Sequence, residues 1–363
     1  MNVKKKVQQN KSLWIIILLL IGLIKFFSAD RSRVEAIYTS KIYFWFSNTL
    51  RFLFGWLPFS VGDILYLLAG FWIIYRIVKN IFLVFEKKVT KKILLKKFLN
   101  LLLIFAFIYV VFNIFWGINY NREGIAYQLK LKDLHYDTAD LILLQNNLIA
   151  KVNASKNAII KSQKVYPSKT NLIIEAKKSY VEAAKTFPFL QYRNISVKSS
   201  FFGTPGDYLG FTGYYNPFTG EAQINTTVPP FLQPYIATHE MAHQLGYAKE
   251  DEANFVGYLA AVNSTDTLFH YSAYFDLFLY TNREVYYFDS VASIKAVQQL
   301  IPGVREDIRE LRKFDLDHQS FLEPAITWMY GNYLKLNNQP KGMHSYNAVV
   351  GMLIAYYKKF EKI

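Results

Sequence analysis

The chain has 363 residues, a net charge of +15, 52% hydrophobic and 17% aromatic residues, and no cysteine. That excludes disulfides, thiolate chemistry and cysteine-bound zinc, and the apolar excess is too large for an ordinary soluble core of this length. The basic excess forms no stripe interleaved with a nucleic-acid reading module, so nucleic acid is not an expected partner.

The apolar residues concentrate in the first third, which predicts a membrane domain over residues 1–117 with the lipid bilayer as partner. A basic lead of Lys4, Lys5, Lys6 and Lys11 precedes a first span at 13–29. Further spans follow at 61–85 and 98–116, which argues for a retained anchor rather than a cleaved signal peptide. Between the first two, residues 31–60 carry Ile42-Tyr43-Phe44-Trp45-Phe46 and end at Gly55 and Pro58. They read as an interfacial amphipathic helix. The basic cluster Lys87, Lys88, Lys91, Lys92, Lys96 and Lys97 belongs in the cytoplasm, as do the N-terminal lysines. Three spans then place residues 118–363 on the far side of the cytoplasmic membrane, facing the periplasm or exterior.

The remainder reads as an α-rich, α+β domain. Helical periodicity covers 140–158 and 171–186, and the stretches Asn194–Ser200 and Glu221–Asn225 read as short strands. The Gly- and aromatic-rich stretch Phe211–Gly220 reads as a hairpin or loop whose edge can pair with a substrate backbone, or which is simply packed by its aromatics. Pro229, Pro230 and Pro234 clear the way for a helix starting near Tyr235. Helices follow from Glu250 onward, the last at Ser345–Phe360.

Within the Tyr235 helix lies His239-Glu240-x-x-His243. Two histidines at i and i+4 place both imidazoles on one helix face, where they can reach one Zn²⁺. Glu240 between them is then the general base for water activated by the metal. Gly246 supplies the left-handed stop that a helix needs there. A catalytic zinc site requires a third donor, and Glu250 is preferred over Asp251 and Glu252. Asn254 lies one turn from Glu250 on the same face, placed to support a ligand histidine. Glu252 points about 160° away around the helix, and Asp251 suits the helix N-terminus. His344, Ser345 and Tyr346 offer a weaker oxyanion donor, while His135, His270 and His318 lack ligand spacing.

The segment His239-Glu240-x-x-His243-x-x-Gly246 followed by Glu250-x-Glu252-Ala253-Asn254 resembles the gluzincin side of the zincin metallopeptidases. Membrane endopeptidases of that group, which cleave prenylated or misfolded membrane proteins, follow the motif with Glu-x-Glu-Ala-Asp. The resemblance implies Glu250 as ligand and Asn254 in the Asp position. Asn cannot carry the negative charge of that Asp, and the gap from His243 to Glu250 is far shorter than in those enzymes. The tight glycine turn is similar to metzincins, but Lys249 stands where their third histidine would be. Over nearly the whole chain, the layout resembles an uncharacterised bacterial membrane family of unknown function. It does so through Trp116-Gly117-Ile118-Asn119-Tyr120-Asn121-Arg122, the Tyr215-x-Pro217-Phe218-Thr219-Gly220-Glu221 hairpin and the histidine helix. Together these imply a zincin-like domain and a zinc-dependent peptidase acting on a peptide or protein substrate. The competing expectations are a non-peptidase envelope protein with a structural metal site, and a zinc amidase acting on cell-wall material.

Overall fold

The structure is a computed structural model that describes residues 2–86, 90–131 and 134–363, leaving aside the side chains of 2–10 and 345–347. Lys87 and Lys88 therefore lie outside the described residues, as do the side chains of Lys4, Lys5 and Lys6.

Helix α1 (Asn2–Ser28) is followed by the short α2 (Arg31–Arg33), a wide π-helical run Val34–Tyr43 and α3 (Phe44–Gly55). Then come α4 (Val61–Phe85) and α5 (Lys91–Phe115). The side chains of Ser60 and Thr90 cap these two by accepting from the backbone N–H of Asp63 and Ile93. Three stretches are long and apolar enough to cross a membrane: Lys11–Ser28, Val61–Phe85 and Lys91–Phe115. At about 1.5 Å per residue, the latter two exceed the hydrocarbon thickness of a bilayer. The third helix begins at Lys91 rather than Phe98, because Thr90 caps it and its lysines occupy the first turns.

The segment expected to lie flat at the interface has two unlike faces. Trp45, Phe52 and Trp56 are exposed, whereas Tyr38, Tyr43, Ser47 and Arg51 are buried. Tyr43 and Ser47 both donate to the Gln244 carbonyl at the end of the histidine helix. Residues 34–55 are thus packed against the C-terminal part as well as flanking the spans.

The C-terminal part is mostly helical. It contains α6 (Ile125–Gln128), α7 (Thr138–Ser162) and α8 (Lys169–Thr186), then β1 (Val197–Ser199), α9 (Gly203–Leu209), β2 (Gly213–Asn216) and β3 (Glu221–Ile224). Seven helices follow: α10 (Gln233–Gln244), α11 (Glu250–Val262), α12 (Thr267–Phe288), α13 (Ser290–Gln298), α14 (Pro302–Asp317), α15 (Glu323–Leu336) and α16 (Val349–Phe360). The last starts four residues later than its periodicity suggests, because Gly342–Ala348 winds as a tighter 3-10 turn. The sheet order is β1-β3-β2, with β1 parallel and β2 antiparallel to β3. Fully buried Phe255, Phe269, Phe275, Phe278, Tyr180 and Tyr258 share one apolar core with Val197, Ala222 and Ile224 of the sheet.

A second, smaller apolar cluster joins the membrane-length helices to this part. It contains Ile24, Val34, Tyr38, Val110, Trp116, Ile118 and Ala248. Polar contacts reinforce it. Buried Glu221 accepts from the first N–H groups of α4, at 3.0 Å from Val61 and 2.6 Å from Gly62, where the helix dipole favours a carboxylate. The carboxylate of Asp63 accepts from the Phe201 N–H at 2.7 Å. Arg122 makes a two-pronged pair with Glu35, at 2.8 and 2.9 Å, and lies over the Tyr247 ring. The N-terminal end of α4 thus meets the sheet, and Trp116 at the end of α5 meets the histidine helix through the His243 carbonyl.

Candidate metal centre

Helix α10 begins with Pro234 in its first turn, and its Tyr235 N–H is received by the Ser272 hydroxyl. One turn later His239 and His243 share a face, with ring centroids 4.8 Å apart. The helix ends at Gln244, and Gly246 reverses the chain at φ +85°. A side chain at Gly246 would be doubly opposed: that backbone conformation disfavours any L-residue, and a Cβ would lie 3.0 Å from the Tyr43 ring. The reversal returns the chain as α11, whose first residue is Glu250. Lys249 offers no side-chain cap. Instead the distant, buried Gln339 accepts from the Glu250 N–H at 3.0 Å.

The turn brings the three expected donors together. Glu250 Oε2 is 3.3 Å from His239 Nε2 and 3.6 Å from His243 Nε2, and the three ligand atoms lie within 4.8 Å of one another. Among the described residues this is the one group of His, Cys, Asp and Glu with metal-ligand spacing. Donors held about 2.0–2.2 Å from a tetrahedral zinc stand roughly 3.3–3.5 Å apart, so the two separations from Glu250 fit that ion. The tautomer fits too. His243 Nδ1 lies 2.7 Å from the Tyr247 carbonyl, which can only accept, so Nδ1 keeps its proton and Nε2, the atom facing Glu250, is the one that gains or loses a proton or binds a metal.

Charge balance sets the titration of the group. Burial alone would push the His243 imidazole down, but the neighbouring Glu250 carboxylate carries it up to about 9. Burial acts upward on Glu250, yet His243 and His239 hold it well below the usual carboxylate range. Glu240 is buried with Oε2 lacking any hydrogen-bond partner, and burial raises it to about 7 against the pull of the two histidines. Its other oxygen lies beside β2: a Cβ at Gly213 would be 2.6 Å from Glu240 Oε1. β2 is a sheet edge, so an edge strand runs directly past the candidate base.

Asn254 is buried near the cluster, where its carbonyl receives the Tyr235 hydroxyl and its side chain meets the Tyr280 phenol. His243 is oriented by the Tyr247 backbone carbonyl. Glu252 is turned to the other side of α11, paired with Lys249 at 3.1 Å and packed beside Gly124. Asp251 accepts the Glu252 N–H in the first turn. His344 is exposed, and the side chains of Ser345 and Tyr346 lie outside the described residues. His270 and His318 are tied to the carbonyls of Ser264 and Phe314.

Three neighbours of the cluster carry no local sequence signal. Tyr330 on α15 donates to Glu250 Oε1 at 2.9 Å. Trp116, at the end of α5, packs its ring 5.9 Å from that of His243 and donates to the His243 carbonyl. Asp276 on α12 is raised to about 6 by burial, opposed by His239 and Arg283.

The fold and the cluster define a predominantly helical protein with three membrane-length helices and a buried site of two histidines and one glutamate. The chain belongs to a family of proteins of unknown function, DUF3810, whose model matches residues 38–354. That match takes in two of the three membrane-length helices, the whole His–Glu cluster and α15. No curated protein and no solved structure matches the chain.

Proposed function

We propose that this protein is a membrane-anchored zinc metallopeptidase that hydrolyses peptide bonds in envelope or membrane-proximal proteins. The observation that carries the reading is the convergence of His239, His243 and Glu250 beside a buried Glu240 with one uncommitted oxygen. Zinc held by those three residues would supply Lewis acidity and lower the pKa of water at the site.

The chain's own groups account for the rest. Glu240 Oε2, free of other partners, takes a proton and returns it to the leaving amine, and a pKa of about 7 suits both directions. Tyr247 and Tyr330 hold His243 and Glu250 in place. The Gly213–Asn216 edge offers backbone groups to an extended peptide without demanding a particular side chain.

Sidedness follows from which helix ends meet the domain. The Val61 end of α4 and the Trp116 end of α5 contact it, while Lys91, Lys92, Lys96 and Lys97 occupy the opposite end of α5. With the basic end in the cytoplasm, the site faces the periplasm or exterior.

The test is elemental analysis of the purified full chain together with Glu240→Gln. The expected result is stoichiometric zinc in both proteins, with hydrolysis reduced roughly 10²–10⁴-fold in the variant. A folded chain without stoichiometric metal sinks the proposal.

A further inference from the structure

Helix α15 buries Gly331 and Leu334 and turns two tyrosine hydroxyls inward: Tyr330 reaches Glu250, and the Tyr333 hydroxyl is 3.1 Å from that of Tyr120. Its outward face is apolar and uncovered, with Trp328 70%, Met329 64% and Leu336 84% exposed. Phe321 and Leu322 just before the helix are exposed too. In water such a face costs free energy, and scattered chance exposure does not gather so many large apolar side chains on one short helix.

The neighbours of α15 identify what covers it. The Tyr333 ring is 6.4 Å from that of Phe112, in the last turn of the membrane-length helix α5. Tyr66, in the second turn of α4, is close enough to Tyr333 to influence its titration. Helix α15 is therefore seated against the ends of two membrane-length helices.

We propose that α15 lies in the outer interfacial layer of the bilayer, its Trp328–Met329–Leu336 face against lipid. Tyr330 then makes it the membrane-side wall of the His239–His243–Glu250 cluster. An amphipathic helix of this kind sinks its apolar face roughly 5–10 Å into the boundary of head groups and acyl chains. The cluster sits directly behind that layer, so chain segments emerging from the bilayer meet it first. The inference rests on the membrane reading of α4 and α5 and not on the identity of the metal.

The absence of cysteine makes the test direct. Single cysteines replace Trp328, Met329 and, as a water-facing control on α14, the exposed Arg309. Each full-length variant carries an environment-sensitive fluorophore and is placed in lipid nanodiscs, with Tm verifying the fold. Emission at 328 and 329 is expected to shift to the blue and to be quenched more by a nitroxide placed shallowly on the acyl chain than by one at its end. The label at 309 should be quenched only by aqueous iodide. Iodide quenching at 328 and 329 equal to that at 309 overturns the proposal. A blue shift that depends on protein concentration and not on lipid quenchers also overturns it, and assigns the face to a second copy of the chain. Failure of all three variants to enter nanodiscs would instead overturn the membrane reading itself, and the proposal with it.

Discussion

The Tyr247 carbonyl oxygen lies 2.7 Å from Nδ1 of His243, four residues after the imidazole it holds. This contact exists because Gly246 turns the chain back on itself, so one glycine both ends the helix and sets a histidine tautomer. With Nδ1 committed, proton binding at His243 falls on Nε2, the atom that faces Glu250.

Zinc uptake should therefore be coupled to proton release. Without metal, His243 is raised from its ordinary 6.5 to about 9 and Glu250 is lowered. The raised histidine stabilises the metal-free fold fully below 6.5, and that contribution is lost as pH climbs through about 9. The lowered glutamate contributes above 4.5 and loses its contribution only in strong acid. At neutral pH zinc must displace the His243 proton. Affinity should then rise about tenfold per pH unit between roughly pH 7 and 9. Chelator competition across that range measures it, and a flat profile contradicts the assignment.

Tyr330→Phe removes one hydroxyl from Glu250 Oε1 and leaves the ring against Phe211. Loss of a hydrogen bond to a metal-ligating carboxylate costs about tenfold or more in metal affinity. Equal zinc affinity in variant and parent would show that Glu250 needs no such support.

Gly213→Ala should disable chemistry while sparing the metal ligands. The new methyl would stand 2.6 Å from Glu240 Oε1 and 2.9 Å from the Gln223 carbonyl, so the flexible Glu240 must give way. A base misplaced by about 1 Å loses on the order of 10²-fold in rate. Zinc content should stay stoichiometric. Unchanged hydrolysis would remove Glu240 from the proton-transfer role.

Gln244→Leu tests how the histidine helix is fastened to the sheet. The Gln244 amide donates to the carbonyls of Ser196 and Gly220 and accepts the Tyr192 hydroxyl, all in a buried setting. Leucine would orphan the Gly220 carbonyl at a cost of about 1–3 kcal/mol, while the Ser196 carbonyl keeps the Ala222 N–H. A Tm several degrees lower is expected. An unchanged Tm would mean that water replaces the amide.

The convergence of His239, His243 and Glu250 was readable in the sequence because they fall within twelve consecutive residues, where helix periodicity and one glycine turn decide the geometry. The same locality made the boundaries of α10 and α11 legible. Tyr330, Gln339 and Trp116 reach the cluster from remote segments, through packing that no spacing rule encodes. Residues 31–60 suggested an interfacial helix because aromatics dominate their pattern. Their second role is carried by small or polar side chains such as Ser47 and Arg51, which are inconspicuous among Phe and Trp. The parallel pairing of β1 with β3 was equally silent, since three residues cannot declare a partner.

Glu221 gives the anchor a meaning beyond tethering. Its carboxylate is fully buried, and its partners are Ser60, Val61 and Gly62 of the α4 start together with Thr219. A fragment starting at Ile118 would take the Ser60, Val61 and Gly62 partners from Glu221 and uncover the apolar surface that Val34, Tyr38 and Val110 now bury. Such a fragment should emerge molten or aggregated, as loss of near-ultraviolet circular dichroism would reveal. The membrane-length helices are in this sense internal scaffolding for the histidine site: to detach the domain from them is to unfold it.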